Sequence, residues 1–420
     1  MQAAEVVITG LGVVSPIGIG REAFWDAILA GHCGLRPASA DLVSGTPPQL
    51  FGEVCDFDPR AFVTNRKSIK LMSRDAQLGI AASVLARRDA GIAEGQLDPD
   101  RMGVVLGADQ ICAPISESQE TYRACCVDGH FDYGRWVSHG MPASFPLGLL
   151  RVLPNMIASH VSIAHDARGP NNTIHEGEIS SLLAVIESAS VIERGMADVM
   201  LAGGATSQRH PLEFARRIAM GSLTARYEDP ATAVLPFDGR RDGHAWSEAA
   251  AVVLLESRRH AERRGVKIYA RLKGWGATFE PVDSRRQLSG SGLKRAIARA
   301  MDHAGVPATG LGHIKAHGLS TVRDDALEAR VLSDLLPEVP VTALKGQLGS
   351  AGAAGAVMEL AAAALASATG CVPPVRNYQC PDPACPIRVI HGEPLRGPAA
   401  NALCVTWMPF GQSAAVVIGP

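Results

Sequence analysis

The feature that most constrains the fold is a series of short apolar strands and amphipathic helices that runs through the chain twice. In the first series we predict a helix over residues 179–195 and strands at residues 5–10, 102–107, 199–204 and 249–256. Helical spacing also follows the first strand, around Phe24 and Ile28. Alternation of this kind predicts a parallel or mixed sheet that is covered by helices.

The second series repeats the first one more loosely, which indicates an internal duplication. It has helices over 292–304, 325–335 and 355–368, and strands ending at His317 and at 339–344, 403–406 and 414–418. We therefore predict an α/β protein with two halves, residues 1–257 and 258–420. No low-complexity linker separates the halves, so we expect them to pack as one body.

The composition excludes several functional classes. Forty Lys and Arg residues nearly balance 42 Asp and Glu residues, which argues against a dedicated nucleic-acid binder. The nine cysteines form no C-x-x-C pair, which argues against a zinc site or a disulfide framework. The first residues do not read as a signal peptide, and the Ala-rich stretch around Glu359 is interpreted as a buried helix. We therefore predict a cytoplasmic protein that has no metal and no membrane span.

One glycine motif suggests a cofactor but is incomplete. Gly10 and Gly12 follow the first strand as in a dinucleotide-binding turn, but Ser15 stands where the third glycine belongs. The sequence also has no phosphate-binding loop of the G-x-x-x-x-G-K-[ST] type. We expect no bound nucleotide cofactor.

Several motifs, spread in order over nearly the whole chain, resemble those of the elongating β-ketoacyl-acyl-carrier-protein synthases of the thiolase superfamily. The similar segments are Val6–Pro16, Leu201–Thr206, Phe237–Gly243 with Glu248 (the family's FDxxRDGFxxGEG), His317–Thr321 (its HGTxT), Lys345 with Gly349 (the start of its KxxxGHxxGAAG), and Pro373–Pro383 (its PPTxNYxxPDP). The resemblance implies the thiolase fold, in which duplicated strand–helix halves form a five-layered α-β-α-β-α body.

The resemblance also shows where this chain departs from the family. The family uses a cysteine nucleophile at a helix N-terminus, in the motif T-A-C-S-S-S-L, and this chain has Glu178 there, followed by Ser180-Ser181-Leu182. A carboxylate is a poor nucleophile for transthioesterification, because the mixed anhydride it forms is higher in energy than the thioester. We predict a buried charge, favoured by the helix N-terminus and paired with Lys345 or with protonated His317. A general-base role for Glu178 is the alternative.

The second histidine of the family's pair is also missing. An ungapped alignment from Lys345 puts Ser350 at that position and keeps Glu359 at the family's distance. A shift of one residue puts Gly349 there instead. His317 persists. We expect Lys345 to neutralise Glu178, and we expect Asp325, Glu328 and Glu359 to form the supporting polar groups.

Residues that the resemblance implies for substrate binding have changed as well. The family's substrates arrive on the phosphopantetheine arm of an acyl carrier protein, so no resident cofactor is implied. Leu319 replaces the first threonine of HGTxT, and only Thr321 persists. At the carboxy-terminal gate, Met408 replaces a phenylalanine and is followed by Pro409 and Phe410.

Three functional hypotheses follow. The favoured one resembles the chain-length factor of type II polyketide synthases, a non-catalytic partner that forms a heterodimer with an active ketosynthase, shapes the acyl tunnel and sets chain length. Met156 and the segment 140–165 would lie at the tunnel or the interface. The second is an enzyme that uses Glu178 and His317 for decarboxylation, acyl transfer or cyclisation. The third is a homodimeric scaffold that binds a carrier protein without chemistry.

Overall fold

The computed structural model describes residues 4–43, 45–93, 95–282 and 288–420. Ten strands follow one another across its main sheet, and the two-residue strand Gly18–Ile19 pairs with the first of them. The ten strands are β1 (Val6–Ser15), β2 (Met102–Ala108), β3 (Asn171–Ile174), β4 (Val199–Thr206), β5 (Ala249–Ser257), β6 (Ala270–Phe279), β7 (Leu311–Lys315), β8 (Val341–Thr342), β9 (Asn401–Trp407) and β10 (Gln412–Gly419).

The longer helices alternate with these strands. They are α1 (Arg21–Leu29), α2 (Arg74–Asp89), α3 (Ile115–Cys125), α4 (Met156–His165), α5 (Ser180–Glu193), α6 (Pro211–Met220), α7 (Arg258–Arg264), α8 (Ser291–Ala304), α9 (Val322–Leu335) and α10 (Gly352–Thr369). Short α-helices lie at Ala40–Val43, Met141–Ala143, Leu149–Val152 and Lys345–Leu348. Small sheets are formed by Leu35–Pro37, Leu50–Gly52 and Trp246–Ser247, by Cys126–Val127 with His130–Phe131, and by Cys371–Val372 with Leu395–Arg396.

The sheet consists of two halves with the same pairing pattern. Its order is β8-β7-β9-β10-β6-β1-β5-β4-β2-β3. Outward from β1, the pairings to β5, β4, β2 and β3 are antiparallel, antiparallel, parallel and parallel. Outward from β6, the pairings to β10, β9, β7 and β8 follow the same order. This repetition is the duplication that the sequence predicts. The halves meet along β1 and β6, from Val6 opposite Leu272 to Ile8 opposite Ala270.

The helices and half-sheets form five layers, which pack around three large apolar cores. The central core packs α5 and α10 between the two half-sheets, with Leu182 and Val357 among its buried residues. A second core packs α2 and α4 on the outer face of the first half-sheet. A third packs α8 and α9 on the outer face of the second half-sheet. This is the predicted α-β-α-β-α body, although the boundary at residues 257 and 258 stays a prediction.

The first strand extends beyond the predicted glycine turn. β1 continues through Gly10 and Gly12 to Ser15, and the prediction of a turn at Gly10 is wrong. The physical reason is close packing, because a β-carbon on Gly10 would overlap the carbonyl oxygen of Ala86 and one on Gly12 would overlap that of Ala82. These glycines therefore let α2 approach the sheet and do not mark a nucleotide-binding turn.

The small-residue stretch forms helix α10, whose burial matters for the membrane prediction. Among the described residues, α10 is the one helix long and apolar enough to cross a membrane, with a mean hydropathy of 1.3. However, 89% of that stretch is buried inside the protein. The interpretation of this segment as a core helix is therefore confirmed.

Candidate functional site

The candidate site lies where the N-termini of the two central helices meet. Glu178 belongs to the tight turn Gly177–Ile179, directly before α5 begins at Ser180. Ser350 lies two residues before the start of α10. Both helices are buried between the half-sheets, so the duplication itself brings these two positions together. The structure thus places the two substituted positions in one site.

Glu178 contacts the one retained histidine. Its Oε2 lies 3.6 Å from Nε2 of His317, and its side chain is 12% exposed. Burial raises the pKa of Glu178, and the charge of Lys345 and the hydroxyl of Ser350 partly oppose this shift. Burial and the charges of Lys345 and Lys315 hold the pKa of His317 well below its ordinary value. Both effects favour the neutral imidazole, whereas the sequence analysis offered protonated His317 as one of two partners for Glu178.

Lys345 does not form the expected ion pair. Its Nζ lies 3.2 Å from Oε1 of Glu359 and donates a hydrogen bond of 2.7 Å to the carbonyl of His317. The other oxygen of Glu359 lies 2.9 Å from Nζ of Lys315, a buried lysine that the sequence analysis missed. The prediction that Lys345 pairs with Glu178 is therefore wrong, because the ammonium group of Lys345 forms its ion pair with Glu359. Lys345 acts on Glu178 only through space.

The other two predicted supporting carboxylates hold the loop that carries His317. Glu328 accepts hydrogen bonds from the backbone N–H groups of His317 and Gly318, at 2.7 and 2.8 Å. Asp325 accepts from the N–H groups of Phe237 and Ser320, and burial raises the pKa of Asp325 to about 7. Phe237 and Ser320 both have positive φ angles, so these carboxylates fix a strained loop.

Two buried residues of the site, Ser350 and His244, have polar atoms that make no hydrogen bond of ordinary geometry to the described residues. Ser350 is fully buried, and within the described part of the chain its Oγ has no hydrogen bond of ordinary geometry. His244 is 3% exposed, and neither ring nitrogen has a hydrogen-bond partner among the described residues. Burial and the charges of Arg217 and Lys345 lower the pKa of His244 to about 3. Sequence reasoning missed His244, although the histidine at the phenylalanine position of the FDxxRDGF motif was an available signal.

The residues predicted to contact the pantetheine arm are spread apart. The hydroxyl of Thr321 caps α9 and contacts Asp324, and Leu319 is buried. Met408 packs against the turn of Glu178, since a β-carbon on Gly177 would lie 2.7 Å from its Cε. Phe410 is 54% exposed at the surface. Only Met408 among these four is therefore placed directly against Glu178's turn.

The fold and this arrangement define a thiolase-type ketosynthase scaffold. The family model of the beta-ketoacyl synthase N-terminal domain matches residues 3–261, and that of the C-terminal domain matches residues 269–379. The chain therefore belongs to the beta-ketoacyl synthase family.

The relatives of the chain include members from polyketide biosynthesis. A protein of Streptomyces halstedii, assigned as polyketide beta-ketoacyl synthase 1, is 35% identical and covers 99% of this chain and 98% of its own. The tetracenomycin ketoacyl synthase alpha subunit of Streptomyces glaucescens is 31% identical over 99% of this chain and 97% of its own.

Solved structures give the same likeness. The ishigamide ketosynthase/chain length factor matches with a TM-score of 0.85 and 26% identity, over 99% of each chain. A type II polyketide synthase acyl-carrier protein in complex with its ketosynthase, bound to the hexaketide, contains a chain that matches with a TM-score of 0.83. That match has 27% identity and covers 100% of each chain.

Proposed function

We propose that this protein is a ketosynthase-like subunit of a type II polyketide or fatty-acid synthase that does not catalyse condensation itself. It pairs with an active ketosynthase in the cytoplasm, shapes the acyl tunnel and sets chain length, while an acyl carrier protein delivers the substrates. The observation that carries the proposal is the buried carboxyl group of Glu178 at the nucleophile position, opposite Ser350.

The chemistry of the site supports this assignment. Condensation needs a thiolate that accepts the acyl chain and two imidazoles that stabilise the enolate. Glu178 offers no thiolate, and Ser350 offers no imidazole. Lys345 is occupied by Glu359 and by the carbonyl of His317. His317 and its supporting groups are thus present, whereas the thiolate and the second imidazole are missing.

An exposed apolar surface supports the pairing with a second subunit. The segment 115–163 carries twelve large hydrophobic side chains at the surface, among them Val137 (74% exposed) and Ile163 (77% exposed). Strand β3 lies next to this segment in sequence and ends the sheet, with β2 as its one strand neighbour in the described chain. Apolar patches and free strand edges are the features that partner subunits cover. Met156, at the start of α4, lies within this segment.

The test is co-expression with the ketosynthase encoded beside this chain, followed by size-exclusion chromatography and an assay of malonyl consumption. We expect a 1:1 complex whose activity needs both chains and changes less than about twofold on Glu178→Ala, since an uninvolved group costs little transition-state energy. The matched control replaces the nucleophilic cysteine of the partner by Ala and abolishes activity. A homodimer that consumes malonyl thioesters alone would overturn the proposal.

A second candidate function has one specific observation in its favour. Glu178 has a raised pKa and lies 3.6 Å from a neutral His317, and such a carboxyl–imidazole pair can transfer protons. In that case the chain alone decarboxylates or transfers an acyl group, and both Glu178→Ala and His317→Ala abolish this activity. The first proposal expects no such activity from the isolated chain.

A further inference from the structure

A cavity of about 280 Å³ lies beside the candidate site but does not include it. Cys112, Val152, Gln208 and Glu213 are among its lining residues, whereas Glu178 and His317 are not. The cavity is bounded by the ends of β2 and β4 and by the beginning of α2. Gln208 is the lining residue that is bonded to Arg217, whose charge acts on Glu178.

Gln208 is held firmly at this position. Its backbone is in the left-handed region, with a φ of 48°, which is uncommon for a residue with a side chain. Its Oε1 accepts hydrogen bonds from Nη2 of Arg217 at 2.9 Å and from Nε1 of Trp246 at 2.5 Å. The amide is thus fixed by two donors from two different elements, and rotating it away would leave both donors without their acceptor.

Arg217 connects Gln208 with the charged groups around Glu178. Its guanidinium carbon lies 3.6 Å from the centroid of the Trp246 ring, a close cation–π stack. The negative charges that act on Arg217 are those of Glu178, Asp109 and Glu213, and the charge of Arg217 acts in turn on Glu178. Asp109 is itself fixed, because it accepts a hydrogen bond of 2.8 Å from the N–H of Ala353 in α10.

We propose that Arg217, stacked on Trp246 and bonded to Gln208, seals the site of Glu178 against the neighbouring cavity, so that this subunit cannot hold an acyl chain at position 178. The inference rests on the proposed function and deepens it. A polar, charged cluster gives an alkyl chain neither room nor an apolar wall. The chain has then lost both the nucleophile and the space that an acyl group on that nucleophile would occupy.

The test introduces a thiol at position 178 and probes the room behind it in the purified chain. Glu178→Cys and the double variant Glu178→Cys/Arg217→Ala are treated with iodoacetamide or with N-octyl iodoacetamide, and peptide mass spectrometry quantifies alkylation at residue 178. We expect similar rates with the small reagent. With the octyl reagent we expect the double variant to react at least about tenfold faster, because overpacking penalises a long chain in the sealed site.

The matched control is Glu178→Cys/Arg216→Ala, since Arg216 neighbours Arg217 on α6 but is exposed. It should behave as Glu178→Cys alone. Should Arg217→Ala unfold the chain, Arg217→Val removes the guanidinium from Trp246 and leaves a short apolar side chain in its place. If N-octyl iodoacetamide alkylates Glu178→Cys and Glu178→Cys/Arg217→Ala at equal rates, whether fast or slow, the proposal that Arg217 seals the site is wrong. Because no partner is present, this result does not depend on whether the heterodimer forms.

Discussion

Glu359 forms its ion pairs with Lys315 and Lys345 at the same time, one through each carboxylate oxygen. Lys315 Nζ lies 2.9 Å from Oε2, and Lys345 Nζ lies 3.2 Å from Oε1. All three side chains are almost fully buried. The arrangement leaves one net positive charge behind His317. The two lysines add to burial in lowering the pKa of His317, and Lys345 opposes the rise that burial causes in the pKa of Glu178.

Removal of Lys315 should destabilise the protein strongly. Lys315→Met leaves Glu359 paired with Lys345 but removes the donor from its Oε2, and it is expected to lower the free energy of unfolding by roughly 1–3 kcal/mol, because a buried carboxylate oxygen is left without a partner. Urea unfolding measures the change. The control is Lys294→Met, whose partner Asp334 is exposed and whose loss should cost less than about 1 kcal/mol. Equal effects of both substitutions would contradict the bridging role of Glu359.

His244 should make the stability of the protein depend on pH. Its pKa is about 3 in the folded state and near 6.5 when unfolded, so the unfolded chain binds more protons between these values. The free energy of unfolding therefore falls as pH falls below about 6.5. His244→Phe removes this contribution, and the loss of stability from pH 7 to pH 5 should be smaller by about 2 kcal/mol. Urea unfolding at both pH values tests this, and an unchanged difference would refute it.

Restoring the nucleophile alone should not restore condensation. Glu178→Cys supplies a thiol, but Ser350 and Leu319 still stand where the resemblance implies an imidazole and a pantetheine contact. We expect no elongation of malonyl thioesters by the isolated variant, as judged by mass spectrometry of the products. Unaided turnover by this variant would contradict the prediction that Ser350 and Leu319 also prevent condensation.

The apolar surface over residues 115–163 should carry the contact with the partner. Val137→Asp places a charge on this surface and is expected to weaken the 1:1 complex by tenfold or more, because a desolvated unpaired carboxylate opposes association. Val322→Asp is the matched control, since Val322 is 61% exposed at the start of α9 and lies outside the segment 115–163. Analytical size exclusion at several concentrations measures both. An intact complex with Val137→Asp would exclude this surface as the interface.

The sequence predicts the repeated strands and helices well because each has a clear apolar period. The predicted helix over 292–304 corresponds to α8, and the predicted strand at 249–256 corresponds to β5. The sequence analysis did not predict the helices α2 and α3. β8 is shorter than expected, because the chain after Thr342 turns into the short helix that begins at Lys345.

The sequence predicts only those residues of the candidate site that belong to a recognisable motif. Glu178, His317 and Ser350 follow from the alignment of local motifs, and the structure brings them together. Lys315, Asp109 and Arg217 come from three separate segments, and only the folded chain places their charges near the site. The partner of Lys345 was not predicted correctly because choosing between Glu178 and Glu359 needs distances that a sequence does not contain.

Strand β3 has a consequence for how the protein must be produced. Its outer backbone groups and the neighbouring apolar side chains are exposed in the isolated chain, and such edges promote aggregation. Under the proposed pairing, chains made in excess of the partner have nothing to cover this edge. The yield of soluble protein should therefore follow the ratio at which the two subunits are synthesised, and matched, coupled translation of their messages would protect each new copy.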